Sequence, residues 1–240
     1  GLESEVKSSD PKNQIITELF HGFSKLSREE RLGRLVDMGA LNSEDVRFLK
    51  NGGQSVPVEL AEKFIENVLG FFQMPLGVAT NFVIDGKAYV IPMAVEETSI
   101  IAAASKTAKW VRENGHITTE MRGREIIGQI QIAKVQDYAR LVEMVQAKQT
   151  DWIRLANEEV AHGLVRRGGG VSRLTVRKVD RGDGAAMAVV HVYADPCDAM
   201  GANIINQVCE FLKGPIEAAT GETVTMCILS NLVDSRVTYA

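Results

Sequence analysis

The chain has 240 residues, of which 45% are hydrophobic and 24% charged, and its 27 basic and 31 acidic side chains give a formal net charge of -4. This composition is typical of a globular protein of one or two domains and excludes collagen-like, disordered and disulfide-stapled classes. No apolar run approaches the roughly 20 residues of a membrane helix, and the polar N-terminus lacks the apolar core of a signal peptide. We therefore expect a cytoplasmic protein without membrane contact. The mild acidity also argues against nucleic acid as a partner.

The first third of the chain is predicted to be mostly helical. A capping-box pattern at Ser27 starts a helix at residues 28–38, and a second short helix starts at Ser43. Pro57 is in the position of a first-turn proline for a third helix, at residues 58–72, whose apolar side chains recur at helical spacing.

A hairpin and a further helix are predicted next. Two β-rich runs, at residues 78–84 and 88–93, lie on either side of Asp85-Gly86, a dipeptide that favours a two-residue hairpin turn. The chain is then expected to be helical from Glu96 to a C-terminal cap at Asn114-Gly115.

The second half of the chain alternates strands and helices. The predicted elements are a strand at 126–135, a helix at 137–159, hairpin strands at 171–179 and 185–193, a helix at 200–219 and a strand at 224–229. This βαββαβ order is that of the ferredoxin-like arrangement, in which two helices lie on one face of an antiparallel sheet. We therefore predict an α+β fold.

The stretch Asp198-Ala199-Met200-Gly201-Ala202-Asn203 lies where the last hairpin strand turns into a helix. A helix N-terminus offers unpaired N–H groups and a positive potential, and small residues let a diphosphate approach closely. Because a carboxylate would repel phosphate, Asp198 is expected to cap the helix or to bond a ribose or an amide. A plain capped core helix is the alternative, and the usual G-x-G-x-x-G fingerprint is absent.

Two other stretches can carry chemistry. Glu96-Glu97-Thr98-Ser99 opens a helix of small residues, where one carboxyl group could be sequestered and gain the raised pKa that a proton donor needs. Ordinary complementation of the helix dipole by these acids is the alternative. The triple glycine at 168–170 follows Arg166-Arg167, and it is interpreted equally well as an anion-binding loop or as a plain connection. Histidines and cysteines are scattered without the spacing of a metal site, so no metal is expected.

Five stretches occur in the same order in hydroxymethylglutaryl-CoA (HMG-CoA) reductases, and the chain resembles the class II, bacterial and archaeal form from about Ser27 onward. They are Glu66-Asn67-Val68-Leu69-Gly70, residues 77–82 (GVATNF), residues 95–105 (VEETSIIAAAS), residues 198–203 (DAMGAN) and residues 228–232 (ILSNL). The resemblance implies a four-electron, NAD(P)H-dependent reduction of HMG-CoA to mevalonate and CoA, a step of the mevalonate pathway to isoprenoids, or the reverse reaction.

The resemblance also implies roles for particular residues. Glu97 is similar to the catalytic glutamate that handles protons, and Ser99 and Asn81 are similar to substrate-binding residues. Asn231 resembles an asparagine at the nicotinamide end of the cofactor. The full set of cofactor-binding residues implied is Asp198, Met200, Gly201, Ala202, Asn203, Asn231, Val160, Arg166 and Arg167.

Cofactor choice is predicted from the end of the long helix. NADH-preferring relatives can place an acid there, which bonds the ribose and repels a 2′-phosphate, whereas this chain has Val160 near that position. Arg166, Arg167 or Arg173 could instead receive the phosphate. Between NADPH and NADH we favour NADPH, although Glu158 or Glu159 could supply the acid after a small shift in register.

The resemblance implies a domain plan. The expected parts are a partly flexible N-terminal segment (1–26), the first part of a large substrate-binding and dimerisation domain (27–122), a small inserted ferredoxin-like NAD(P)-binding domain (123–232) and a return to the large domain (233–240). The stretch from Glu66 to Gly70 resembles the dimer interface of the family, which implies a homodimer with shared active sites.

The family's catalytic lysine, second aspartate and terminal histidine follow a segment like residues 230–240. We therefore expect this chain to carry the N-terminal part of the enzyme and to be inactive alone. The alternative is a non-catalytic nucleotide-binding or regulatory dimerisation module. An RNA-binding version is disfavoured, because the central strands lack the aromatic residues that stack on bases.

Overall fold

The computed structural model describes residues 10–53 and 56–240, which fall into two compact units: residues 10–119 with Ala240, and residues 120–239. Within these described residues, no helix has both the length and the apolar character needed to span a membrane. No group of three or more His, Cys, Asp or Glu side chains in the same residues is arranged to hold a metal ion.

The first unit combines five helices with one hairpin in its described part. They are α1 (Pro11–Leu19), α2 (Arg28–Asp37), α3 (Ser43–Lys50), α4 (Val58–Ala61), β1 (Leu76–Ile84), β2 (Lys87–Ala94) and α5 (Ile100–Asn114), with a 3-10 turn at Phe23–Lys25. Residues 1–9 of the predicted flexible N-terminal segment lie outside the described residues. The rest of that segment contains α1, whose N-cap is Asp10.

The predicted starts of α2 and α3 are confirmed, because both helices have complete capping boxes. The Glu30 amide donates to Ser27 Oγ, and the Glu30 carboxylate accepts from the Ser27 amide at 2.8 Å. The same reciprocal pair joins Asn42 and Asp45 at the start of α3. Each box satisfies two backbone donors that a helix start leaves without partners.

The predicted helix at 58–72 is wrong, since α4 ends at Ala61 and no helix follows before Pro75. Most helical stability in proteins comes from packing an amphipathic face against other parts of the fold. Among the described residues nothing covers that face: Phe64 is 69% exposed, Ile65 60% and Leu69 fully exposed. The apolar spacing that predicted the helix is present, but the described part of the chain offers no surface that would stabilise it.

The predicted hairpin is confirmed, and α5 packs against it. Asp85 and Gly86 both have positive φ, as a two-residue turn of this kind requires. Ser105 of α5 joins the two elements, because its Oγ accepts from the Thr80 amide at 3.0 Å and its hydroxyl donates to the Ile101 carbonyl. The strand bulges between Ala79 and Phe82 beside this contact.

The second unit has the βαββαβ order that the sequence predicted. Its elements are β3 (Glu120–Arg122), β4 (Ile126–Ile132), α6 (Tyr138–Glu159), α7 (His162–Val165), β5 (Gly170–Asp180), β6 (Ala186–Asp195), α8 (Ala202–Thr220), β7 (Met226–Leu229) and β8 (Val237–Tyr239). Four strands form a sheet in the order β5-β6-β4-β7 with every pair antiparallel, and β3 pairs with β8 in a separate ribbon. The ribbon and the short α7 were not predicted.

The core of the second unit lies between this sheet and its two long helices. Helix α6 packs on β5 and on α8, which in turn covers β4 and β7. Ile130, Leu141 and Ile205, from β4, α6 and α8, are fully buried there. Gly128 allows the close approach of α8 to β4, because a Cβ at this position would overlap Cys209 Sγ.

Glu222 is a buried carboxylate that joins the end of one helix to the start of another. It lies just beyond α8, is 5% exposed, and accepts from the backbone amides of Gln136 and Asp137 at 3.0 and 2.8 Å. Asp137 is the N-cap of α6. One side chain therefore satisfies two backbone donors that no helical carbonyl can reach.

Replacing Glu222→Ala should lower the free energy of unfolding of the second unit by about 2 kcal/mol, because two backbone amides lose their acceptor away from water. Urea unfolding measures the change. Glu158→Ala is the control, since it removes only an exposed ion pair with Arg154 and should cost at most about 0.5 kcal/mol. Equal losses in the two variants would contradict this role of Glu222.

Candidate functional site

A groove of about 450 Å³ opens in the second unit. Residues 160–164 and Arg167, at the end of α6 and along α7, form one wall, and residues 199–204, at the start of α8, form the other. The volume lies within the range of small-molecule and cofactor sites. Of the sequence-predicted residues, those that line the groove are Val160, Arg167, Met200, Gly201, Ala202 and Asn203.

The start of α8 differs from the prediction in its cap. Gly201 is the N-cap, in a left-handed conformation with φ +88°, and among the described residues no side chain caps the helix. A Cβ on Gly201 would lie 2.5 Å from Ile126 Cδ1 and 2.8 Å from Pro196 Cβ. The prediction that Asp198 caps α8 is therefore wrong: this tight turn leaves the exposed Asp198 three residues before the cap.

An uncapped helix start suits an anionic ligand. The first turn of α8 contains no acidic residue, and Ala199 and Ala202 present only methyl groups to the groove. Its backbone N–H groups and the positive end of the helix dipole can therefore stabilise a phosphate that comes close to the chain. Of the alternative, a plain capped core helix, only the side-chain cap is absent among the described residues.

The opposite wall contains two of the residues on which cofactor choice was predicted to depend, Val160 and Arg167. Val160 is the C-cap of α6 and is partly buried against the core, so an apolar side chain faces the groove at this point. Glu158 is paired instead with Arg154 at 2.9 Å on α6 itself. Arg167 lines the groove, whereas Arg166 is exposed and is not among the lining residues.

Sequence reasoning missed α7 and its His162, which also lines the groove. The helix is only four residues long, so no hydrophobic period could reveal it. A long connection between the end of α6 and the triple glycine was the only signal. Arg167 and His162 are both exposed at this wall, and they supply its polar groups.

The triple glycine is a packed connection in this structure. A Cβ on Gly169 would overlap the Asp195 carbonyl oxygen and lie 2.7 Å from Cys197 Sγ, and one on Gly170 would lie 2.7 Å from Asn157 Oδ1. Glycine is needed at these two positions because other parts of the chain pass so close. This contact, rather than an open loop, accounts for them.

Asn231 lies beyond β7, directly after Ser230, which continues the pairing of β7 with β4. The Ser230 amide donates to the Ile127 carbonyl at 2.8 Å, so the chain is held beside β4 up to that point. Asn231 itself is exposed, and it does not line the groove.

In the first unit, Glu97 and Ser99 precede α5 rather than opening it. The helix starts at Ile100, and Ser99 is its N-cap with φ +72° and without a side-chain hydrogen bond to the helix. Glu96 and Glu97 are both exposed, so neither carboxyl group is sequestered within this chain. No acid occupies the first helical turn, so the acids that were expected to complement the helix dipole from that turn precede it instead.

The side chain of Asn81 makes hydrogen bonds within the first unit. It lies in the bulge of β1 with φ +72°, and its Nδ2 donates to the Ser105 carbonyl at 3.1 Å. The Arg112 guanidinium approaches its Oδ1 at 3.5 Å. In this conformation the amide helps to fix the bulge against α5.

The mixed α+β fold matches solved class II structures. A 3-hydroxy-3-methylglutaryl-coenzyme A reductase from Streptococcus pneumoniae superposes with a TM-score of 0.81 at 32% identity, over 91% of this chain and 51% of that one. A class II reductase structure from the same organism, described as bound to NADPH in open conformations, gives a TM-score of 0.80 at 32% identity, over 91% of this chain and 58% of that one.

The chain belongs to the hydroxymethylglutaryl-coenzyme A reductase family, whose sequence profile matches residues 27–240. The reductase of Archaeoglobus fulgidus is 43% identical over 219 residues, which are 91% of this chain and 49% of that protein. A probable reductase of Borreliella burgdorferi is 32% identical over 167 residues, 70% of this chain and 37% of that one. The chain thus spans about half the length of the Archaeoglobus protein, and its match covers a smaller share of the Borreliella protein.

Gly201→Ala should lower the free energy of unfolding of the second unit by about 2 kcal/mol or more, because an alanine is strained at positive φ and its methyl group would collide with Ile126 and Pro196. Gly184→Ala is the matched control: φ is +81° there, but the space around it is open, so only about 1 kcal/mol is expected. Urea unfolding of both variants separates the collision from the backbone strain. Losses of the same size would show that the close approach at Gly201 is unimportant.

Proposed function

We propose that this chain supplies the cofactor-binding part and a portion of the substrate-binding part of an HMG-CoA reductase that works in the cytoplasm. The reaction is the four-electron reduction of HMG-CoA to mevalonate and CoA with two NAD(P)H, or its reverse. The observation that carries the proposal is the groove at the uncapped start of α8, built by the DAMGAN turn in a chain of this family.

Residues 123–232, which make up most of the second unit, are proposed to be the inserted, ferredoxin-like cofactor domain. Its βαββαβ order and its strand order β5-β6-β4-β7 support this assignment. Residues 27–122 and 233–240 are then proposed to belong to the large domain.

The groove is proposed to take the dinucleotide, which supplies a hydride when bound. The first-turn amides of α8 hold its diphosphate, and Asp198, just outside the turn, bonds a ribose hydroxyl or an amide. Arg167 stands on the opposite wall, where a guanidinium can bind a 2′-phosphate through two hydrogen bonds. Val160 presents no charge that would repel this phosphate. These features support NADPH as the preferred cofactor.

Glu97 is proposed as the proton-handling residue and Ser99 as a contact to the HMG group. Both are exposed in the single chain, which suits an active site that is completed by other parts of the protein. The left-handed backbone of Ser99 supports a functional role, because residues in strained backbone conformations cluster at active sites and ligand-binding positions. Asn81, at the substrate, and Asn231, at the nicotinamide end, are proposed on the resemblance of their motifs.

A second copy of the chain is proposed to cover the apolar segment around residues 64–72. Phe64, Ile65, Leu69 and Phe72 are each more than half exposed there, around the stretch that resembles the family's dimer interface. Contiguous exposed apolar surface of this kind marks an interaction site.

The 240-residue chain should bind NADPH more tightly than NADH, and Val160→Asp should shift the ratio of the two dissociation constants toward NADH at least tenfold. A carboxylate at this wall would repel the 2′-phosphate and could bond the ribose hydroxyl of NADH instead. Fluorescence titration of both nucleotides measures the ratio. Val160→Asn is the matched control, because it has nearly the same shape and no charge, and it should leave the preference for NADPH in place.

Two results would count against these proposals. An unchanged ratio in Val160→Asp would remove Val160 from cofactor choice. If the chain bound neither nucleotide, the assignment of the groove as a cofactor site would fail.

In an enzyme that extends this chain to the full length of its relatives, Glu97→Gln should reduce turnover of HMG-CoA by at least 10²-fold, because an amide cannot transfer the proton. Steady-state NADPH oxidation gives kcat, and circular dichroism checks that the fold is intact. Glu96→Gln is the control next to it and should change kcat less than twofold.

Activity close to that of the unmodified enzyme in Glu97→Gln would remove Glu97 from its proposed role. Nucleotide binding without any turnover in the extended enzyme would favour the alternative, a non-catalytic binding or regulatory module.

A further inference from the structure

The last turn of α6 is joined to the start of β5 by a single side chain, Asn157. Its Nδ2 donates to the Val171 carbonyl at 2.9 Å, and its Oδ1 accepts from the Val171 amide at 2.8 Å. This reciprocal pair has the pattern of two residues paired across an antiparallel sheet, with a side-chain amide in place of a neighbouring strand. It satisfies both backbone groups of Val171, which is buried.

The same contact fixes the position of the triple glycine. Gly170, next to Val171, has φ +111°, and a Cβ on it would lie 2.7 Å from Asn157 Oδ1 and 2.9 Å from Val165 Cγ2. The backbone at Gly170 is therefore closely packed between the end of α6 and α7. Since α7 carries lining residues of the groove, Asn157 holds the strand directly against that wall.

The triple glycine continues to the other wall. Gly169 packs against the Asp195 carbonyl, and Cys197 Sγ lies 3.7 Å from the Arg167 carbonyl oxygen. The Cys197 amide in turn donates to Asp195 Oδ1 at 2.8 Å, which shapes the turn leading to residues 199–204. One continuous series of contacts thus runs from Asn157 through the glycines to the start of α8.

We propose that Asn157 is a positioning residue for the nucleotide: it contacts no ligand, but it sets the separation between the α7 wall and the α8 wall of the groove. This inference rests on the proposed function, in which the groove binds NAD(P)H. Nucleotide affinity depends on that separation because the first-turn amides of α8 must reach the diphosphate while Arg167 reaches the 2′-phosphate from the opposite side.

The test compares Asn157→Ala with Glu217→Ala in the 240-residue chain. Glu217 is the matched control, because its Oε1 also accepts from one backbone amide, that of Val224, near the far end of α8 from the groove. Hydrogen–deuterium exchange of the free chain is the first readout. Asn157→Ala should raise the exchange of residues 160–171 and also of residues 197–205, whereas Glu217→Ala should raise exchange only near residue 224.

The second readout is the dissociation constant for NADPH, measured by fluorescence titration. Asn157→Ala should raise it about tenfold, and Glu217→Ala should change it less than twofold. Asn157→Asp keeps the acceptor for the Val171 amide, but it loses the donor and adds a negative charge that itself disfavours NADPH, so if Asn157→Ala does not fold this variant replaces it in the exchange measurement alone. The same spread of faster exchange to residues 197–205 is expected in it.

Faster exchange confined to residues 160–171, with residues 197–205 unchanged, would overturn the proposal, because the two walls would then move independently. An unchanged NADPH dissociation constant in Asn157→Ala would also overturn it. If the unmodified chain binds no NADPH, the proposed function fails, and the exchange comparison still decides whether Asn157 couples the two walls.

Discussion

The close passage of the backbone at Gly201 is the constraint on which the groove depends. The chain leaves β6, turns beside Ile126 and Pro196, and has no room for a side chain at the point where α8 begins. A glycine N-cap leaves the first turn of the helix without a side-chain partner, and the same turn directs α8 across β4 and β7. Packing of the core and exposure of the helix start are therefore consequences of one turn. The Asn157 contact controls the other side of the same groove.

The sequence predicted those elements whose stability is local or whose buried face is covered within the chain. The capping box at Ser27 and the Asp85-Gly86 turn have short-range signals, and the structure confirms both. The βαββαβ order of the second unit is also confirmed. It could be predicted because its helices cover one face of the sheet, so the apolar residues that recur along its strands and helices are the ones that are buried.

The failures have physical reasons. The predicted helix at 58–72 has the correct spacing, but no part of the chain that the structure describes packs against it, and α7 is too short to have a period. Asp198 is a favourable capping residue by type, but the left-handed Gly201 takes the cap. The lining residue His162 follows from the path of the chain after α6, which no local pattern encodes. The resemblance to the family located the DAMGAN turn and, on the opposite wall, Val160 and Arg167, whereas α7 and His162 on that wall were missed.

The β3–β8 ribbon gives the second unit a modular character. Glu120 and Tyr239 are directly paired, so the two connections of this unit leave it side by side. Gly123 follows β3, has φ +74° and lies against the Ser235 carbonyl, which any side chain at this position would overlap. The absence of a side chain therefore lets the chain segments next to β3 and β8 lie close together. A unit with adjacent ends and its own core can be inserted into another chain, or exchanged between relatives, because the two ends of the surrounding chain need not move apart. Because both connections leave at one ribbon, substitutions within this unit need not displace the chain on either side of it.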